Sequence, residues 1–390
     1  MKILFLTRQF PPRLGGVATA SFRLSKSLQS RGHEIIVLAC NKKDHTPAYL
    51  SEIHKRIYKG IVVYDIAEKL LQRDGYGLCL QLVYDLLKSF SPCLIHSYYI
   101  FPISYFGQLL ARNLSIPHIS SCRGSDITLH ALTKPGVVSH TLQAVQKNTT
   151  VSCSFLHWIE IVTGKGNSIF VANSIGDDFT CTSNKDVVYY KKKYALGKDT
   201  KVFVSNAVYR WKKGPEYLKT ILAALAKSDL ADLVFFLIGN FSLGLQKEFE
   251  QVFCIPEKGR CRRLIAILQP ERQELACILQ LADLFLLTSR REGMPNVLLE
   301  ALAVGTAIAA TNVDGVLDIF QGPKELGLLL DRFQLEPSAE KIIAFLKQID
   351  RSQDIRKKWI SANYSVNREV ESYERIYEKV LQDWQSTGAS

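Results

Sequence analysis

Apolar and polar positions along the chain follow two alternating rhythms. Short β-branched or apolar runs, KILFLT (2–7) and HEIIVLAC (33–40), flank ATASFRLSKSLQSRG (18–32), whose apolar residues recur at helical spacing. Strand, helix and strand bounded by turn residues predict βαβ units and a parallel sheet. The alternation continues through CLIHSYY (93–99), the helical PISYFGQLLARNLS (102–115) and PHISSCRG (117–124). A second series offers the strands VFVSNAV (202–208), LVFFLIGN (233–240), RLIAILQ (263–269), DLFLLTS (283–289) and AIAAT (307–311). Between the two lies the polar, lysine-rich TSNKDVVYYKKKYALGKDTK (182–201), which predicts a linker near residues 180–200. Two α/β domains follow, residues 1–185 and 186–365. In the tail, Val370, Tyr373, Ile376, Tyr377, Val380 and Leu381 share one face of a closing amphipathic helix.

Length agrees with that division, since 390 residues exceed the usual span of one domain. A composition 47% hydrophobic and 22% charged excludes a disordered chain. No window approaches 18 uninterrupted apolar residues, and Arg8 and two prolines interrupt the opening MKILFLTRQFPP. Neither a membrane span nor a signal peptide is predicted. Nine cysteines without a CxxC pair or metal-ligand spacing predict reduced thiols and a cytoplasmic protein. The net charge of +12 suits an anionic partner, whether nucleic acid, an acidic lipid face or a phosphorylated small molecule, and equally a plain basic surface. No finger, helix-turn-helix or RNP pattern accompanies it, so nucleic acid is not expected.

Three stretches can carry chemistry. FPPRLGGVATA (10–20) sets Gly15 and Gly16 where a loop meets a helix start, a place where backbone approaches an anion closely. It lacks GxGxxG, and no acidic residue ends the next strand, which argues against a dinucleotide. VSNAVYRWKKGPEYL (204–218) puts Arg210, Lys212, Lys213 and Gly214 after a strand, at the edge where open parallel sheets bind ligands. REGMPNVLLEALAVGTAIAA (291–310) follows another strand. Its helix begins at Pro295, so the amides around Met294, Pro295, Asn296 and Val297 lie at the positive end of the helix dipole. Glu300 sits just over one turn inside, its Cβ tilted toward that end, and Glu292 precedes the helix. Two carboxylates beside an anion site make sense if each accepts hydrogen bonds from hydroxyls flanking a phosphate, a ribose at Glu300 and a sugar at Glu292. Taken singly, each stretch also has a plainer reading: a tight turn, a solvated basic loop, a helix cap.

Together the stretches resemble glycosyltransferase family 4, retaining enzymes of the GT-B fold, over nearly the whole chain. EGMPNVLLEALAVGTAIAATNVDGV (292–316) is similar to that family's signature, FVANSIGDDF (170–179) to its stretch before the second domain, and RWKKG (210–214) to its phosphate-binding segment. The resemblance implies two Rossmann-like parallel-sheet domains facing across a cleft, the first completed by the last helix, about 366–390. It implies a nucleotide-sugar donor, UDP- or GDP-linked, held mainly by the second domain, with a base pocket around Gly239 and Ala266 to Leu268. No further cofactor and no metal are implied. Arg210 and Lys213 would hold the diphosphate, Glu300 the ribose and Glu292 the transferred sugar, with Gly15 and Gly16 near the phosphates. An ungapped match puts Val208 where Arg210 is otherwise placed, and both alignments stay open. RGSD (123–126) stands where the family often has His-Gly-x-Asp, with Arg123 in place of the histidine and Asp126 retained, and Asn173-Ser174 replaces Asn-Gly. The implied acceptor is a glycan or a lipid-linked envelope or polysaccharide precursor, with Arg23, Lys26, Arg31, Lys42 and Lys43 against acidic lipids at the inner membrane face. A nucleotide-sugar 2-epimerase and a non-catalytic nucleotide-sugar-binding subunit are the competing readings.

Overall fold

The computed structural model describes residues 1–387 apart from 14, 41–52, 68–70, 72–75, 165, 177–178, 180–182, 231, 256–259, 335–337 and 349–352. Lys42 and Lys43, and Asp177 and Asp178 of the FVANSIGDDF stretch, therefore lie outside the described residues. The chain divides into two compact units, Met1–Ser174 with Val366–Ser390, and Ile175–Ser365.

The first unit is built on an eight-stranded sheet. Its strands are β1 (Lys2–Thr7), β2 (Glu34–Ala39), β3 (His54–Tyr58), β4 (Ile61–Asp65), β5 (Leu94–Tyr98), β6 (His118–Cys122), β7 (Lys147–Thr150) and β8 (Ser168–Phe170). They lie in the order β3-β4-β2-β1-β5-β6-β7-β8, parallel except for β3, which pairs antiparallel with β4. Strand β1 is apolar from Ile3 to Leu6 because both of its faces are covered. Ile3 and Phe5 enter a core shared with the helix Gly16–Ser30, and Leu4 and Leu6 enter a second one lined by Val83, Leu87, Phe106 and Leu110. The C-terminal helix Val366–Ser386 buries Val370, Tyr373, Ile376, Tyr377 and Val380 in the first of these cores, as its spacing predicts.

The second unit carries β9 (Lys201–Val208), β10 (Asp232–Asn240), β11 (Cys261–Ile267), β12 (Leu284–Leu287), β13 (Ala307–Thr311) and β14 (Gly327–Leu330), all parallel. Their order, β11-β10-β9-β12-β13-β14, reverses direction between β9 and β12. In the first sheet the reversal lies between β1 and β5. Loops leaving the carboxyl ends of two such strands diverge to opposite faces and leave a crevice, the usual ligand position in an open α/β sheet.

The lysine-rich stretch expected as a linker instead contains a helix, Asn184–Lys193, within the second unit. Ser183 caps it by accepting the Asp186 amide. No residue of the helix is buried. It is tied down at its end, where the Tyr194 hydroxyl and the Lys193 ammonium both bond Glu274, at 2.6 Å and 2.5 Å. The chain passes between units earlier, at Ser174 and Ile175.

Candidate functional site

In the second unit the site grows out of the turn after β9. The chain leaves the strand at Val208, makes a short 3-10 turn over Trp211–Lys213 and reaches Gly214 with φ of 56°. A Cβ there would stand 2.1 Å from the Thr288 carbonyl, so only glycine lets this turn lie against the end of β12. The Thr288 hydroxyl fastens it by donating to the carbonyls of Gly214 and Lys213, at 3.1 Å and 3.2 Å. Held there, Lys213 donates to Glu292 Oε1, and Ser289 Oγ donates to the same oxygen at 2.6 Å. The two charged side chains are only 15% and 8% exposed, so each depends on the other for compensation.

The loop bearing Glu292 is set by backbone packing. A Cβ on Gly315 would lie 1.7 Å from the Gly293 carbonyl, so the GM and DG segments of the two loops touch main chain to main chain. Asp314, at φ of 23°, turns its carboxylate to the Glu292 amide. Burial raises its pKa and that amide bond opposes the rise. The helix Asn296–Ala303 follows, with Met294 buried and Pro295 in the cap position. Glu300, 8% exposed, lies one turn in, with Oε1 3.9 Å from Arg272 Nη1. The Arg272 guanidinium rests 4.8 Å from the centre of the buried Phe179 ring. Gly239 ends the buried run of β10, where a Cβ would fall 2.1 Å from the Ala207 carbonyl.

Lys213, Glu292 and the helix start are thus brought together beside the reversal of the second sheet. Arg210 is exposed, and its carbonyl, not its guanidinium, contributes by accepting the Lys213 amide at 2.8 Å. Val208, the other aligned position, is 40% exposed. Over the same turn lies a layer that spacing could not announce. Arg290 stacks on Trp211 and Tyr217, at 4.8 Å and 4.5 Å, and grips Glu216, while Arg291 covers Trp211 at 5.4 Å.

In the first unit Gly15, with φ of 144°, caps the helix that Gly16 opens, and a Cβ on Gly15 would meet Gln9 Oε1 at 3.1 Å. Arg123 lies flat on Tyr98, 3.9 Å from the ring centre, and its Nη2 donates to Asn173 Oδ1. Asp126 is fully buried and accepts the amides of Arg123 at 2.9 Å, Gly124 at 2.7 Å, Ile127 at 3.1 Å and Ile100 at 3.2 Å. Burial raises its pKa and these amides pull it back. Its carboxylate is therefore engaged with main chain and holds the loop that carries Arg123.

Behind Arg123 stand residues with no motif of their own. Glu369 on the C-terminal helix accepts the Ser174 amide and hydroxyl, at 3.2 Å and 2.5 Å. His96 bonds Tyr377 and Ser121, each at 2.7 Å, and burial holds its pKa well below the ordinary value. Two residues of the expected lipid-facing patch meet the same helix. Arg23 is 10% exposed with Nε 3.7 Å from Glu369, and Arg31 pairs with Glu374 at 2.9 Å, so both guanidiniums are directed to carboxylates of this chain. Among the described residues no helix is long and apolar enough to cross a membrane.

Comparison with known proteins bears on this geometry. Residues 14–153 match the family described as Glycosyltransferase Family 4, and residues 189–365 match Glycosyl transferases group 1. The chain is 24% identical to N-acetyl-alpha-D-glucosaminyl L-malate synthase of Bacillus anthracis, over 95% of its own length and 96% of the relative's. It is also 24% identical to a putative teichuronic acid biosynthesis glycosyltransferase of Bacillus subtilis, over 88% and 89%. Among solved structures, sucrose-phosphate synthase from Thermosynechococcus elongatus superposes with a TM-score of 0.78 at 15% identity, covering 98% of this chain and 99% of that one. HepE of Anabaena, in complex with UDP and glucose, gives 0.74 at 14%, covering 97% and 100%. At such identities the structural likeness speaks for the fold, which is GT-B.

Proposed function

This chain belongs to glycosyltransferase family 4 and is a glycosyltransferase, and from that premise we propose that the sugar it moves leaves a nucleoside diphosphate, UDP or GDP, for a hydroxyl acceptor with retention of configuration and without a metal. The observation that carries the reading is the largely buried pair of Lys213 and Glu292 beside the start of the helix Asn296–Ala303. An arriving diphosphate competes for the Lys213 ammonium. The carboxylate it leaves is then available to accept hydroxyl protons of the sugar. Departure of the nucleotide builds negative charge on the β-phosphate, and a preorganised ammonium and helix dipole act on that charge where it develops.

No carboxylate is assigned as a nucleophile. The acceptor oxygen attacks on the face the nucleotide leaves and its proton passes to the departing phosphate, while Glu292 orients the sugar and supports an oxocarbenium-like state. Glu300 accepts the ribose hydroxyls, and Arg210 reaches the diphosphate from the rim. Arg123, steadied by Tyr98 and Asn173, takes the place of the family's histidine as a substrate-binding residue. The relatives named for teichuronic acid and for L-malate support an envelope glycan or a small acid as the class of acceptor.

A panel of UDP-, GDP- and ADP-sugars tested for thermal stabilisation identifies the donor, and the anomeric coupling of the transferred sugar reads retention. Glu292→Gln should retain donor binding and lose most transfer. Normal transfer by that variant refutes the role, and a 2-epimer formed without acceptor replaces the transferase reading with an epimerase.

A further inference from the structure

The first sheet also has a reversal, between β1 and β5, and what gathers there is cationic and aromatic. Arg8 follows β1 directly, its guanidinium 5.3 Å from the centre of the Tyr99 ring and Nη1 3.4 Å from the Tyr99 hydroxyl. Tyr99 meets His130 edge to face at 6.0 Å, His130 meets Phe101 at 5.8 Å, and the Lys134 ammonium lies 5.1 Å from the Phe101 ring centre. Two cations are thus spaced along one short aromatic wall. Asp126, a carboxylate close by among the described residues, is occupied by four backbone amides. Burial, then the charge of Arg8, holds His130 below its ordinary pKa, so near neutral pH the imidazole is an uncharged hydrogen-bonding group.

We propose that this crevice is an anion subsite, in which Arg8 and Lys134 receive a carboxylate or phosphate carried by the acceptor while the aromatic wall packs its carbon skeleton. Guanidinium favours planar, bidentate oxyanions, and ammonium serves either kind as a point charge. The position supports the assignment, since it is the crevice of the first sheet as the Lys213–Glu292 pair occupies that of the second. The inference rests on the transferase reading and specifies its acceptor.

The test is calorimetric titration of the whole protein, saturated with UDP or GDP and held at constant ionic strength, with L-malate, inorganic phosphate and uncharged glycerol. At least one anion should bind saturably and glycerol should not, and whichever anion binds separates a carboxylate acceptor from a phosphorylated one. Arg8→Gln and Lys134→Gln should each weaken that binding at least tenfold. Lys134 is exposed, so its variant remains decisive if loss of the Arg8 stacking unfolds the chain. Absence of binding by both anions, or unchanged affinity in the Lys134 variant, overturns the inference. If UDP and GDP bind while neither anion does, the subsite alone is refuted, and if no nucleotide binds, the transferase reading falls with it.

Discussion

Each sheet reverses its strand order once, and each places charge at the reversal, but the two crevices are built differently. In the second unit a cation and an anion are sealed together: Lys213 and Glu292 neutralise one another, with Ser289 completing the carboxylate. In the first, Arg8 and Lys134 lie on aromatic rings, and Asp126 is occupied by main chain. A sealed pair responds to a ligand by exchanging partners, which suits a group whose charge changes during reaction. A cation on a ring face offers a standing field, which suits an anion that is held and not transformed. The histidines sharpen the contrast: all eight belong to residues 1–174 and the second unit has none.

The most severe break is Lys213→Ala. It removes the donor and leaves Glu292 enclosed without its cation, and loss of one preorganised donor typically costs about 2.7–4 kcal/mol in the transition state. Steady-state transfer should fall roughly a hundredfold to a thousandfold, and near-normal turnover would separate the pair from the chemistry. Acid should next distinguish the units. Burial holds His96 well below its usual pKa and presses His118 down to about 3. An imidazole with a lowered folded pKa binds fewer protons folded than unfolded, so stability declines as pH falls below the unfolded value near 6.5, by roughly 1 kcal/mol per pH unit for each group. Amide exchange corrected for intrinsic rates should therefore show the first unit loosening between pH 6.5 and 5.5 while the second holds. Equal loosening of both would contradict this.

Gly315→Ala is expected to push the Gly293 carbonyl aside, costing about 1–3 kcal/mol of stability as overpacking does and shifting Glu292 with it. Urea denaturation measures the first effect, and Gly136→Ala is the matched control, since nothing lies within 4 Å of its added methyl. The smallest effect is Glu300→Gln, which should weaken UDP or GDP binding about tenfold by calorimetry, near 1.4 kcal/mol, and leave the anion titrations unchanged.

Much of this was open to reading from spacing alone. The βα alternation is a property of buried strands and amphipathic helices, and the eight positions from Glu292 to Glu300 span a loop, a cap and one turn whose geometry local rules dictate. Other parts depended on contacts far apart in sequence. Lys213 and Arg272 reach the carboxylates of Glu292 and Glu300, and Asp314 the Glu292 amide, only once strands far apart in sequence lie side by side. The Asn184–Lys193 helix gathers its apolar residues into one consecutive run, Val187 to Tyr190, between polar ends, and buries none of them, so no stripe at helical spacing declares it. Arg23 and Arg31 look like solvated charge on their own helix, and only the return of the C-terminal helix gives them Glu369 and Glu374. Strand β14 is four residues of GLLL, too brief for a period of two to be distinguished from a helix turn.

The return of Val366–Ser386 to the first core has a consequence for how the chain is made. Tyr373 and Tyr377 complete a hydrophobic interior begun by Ile3 and Phe5, so the earliest-synthesised half leaves the ribosome with part of that interior still untranslated. At about 5–20 residues per second, the wait for the intervening 175–365 stretch is roughly 10–40 s. During that interval the nascent first unit exposes the seat of its last helix, and a stop codon just ahead of Val366 would leave it permanently open.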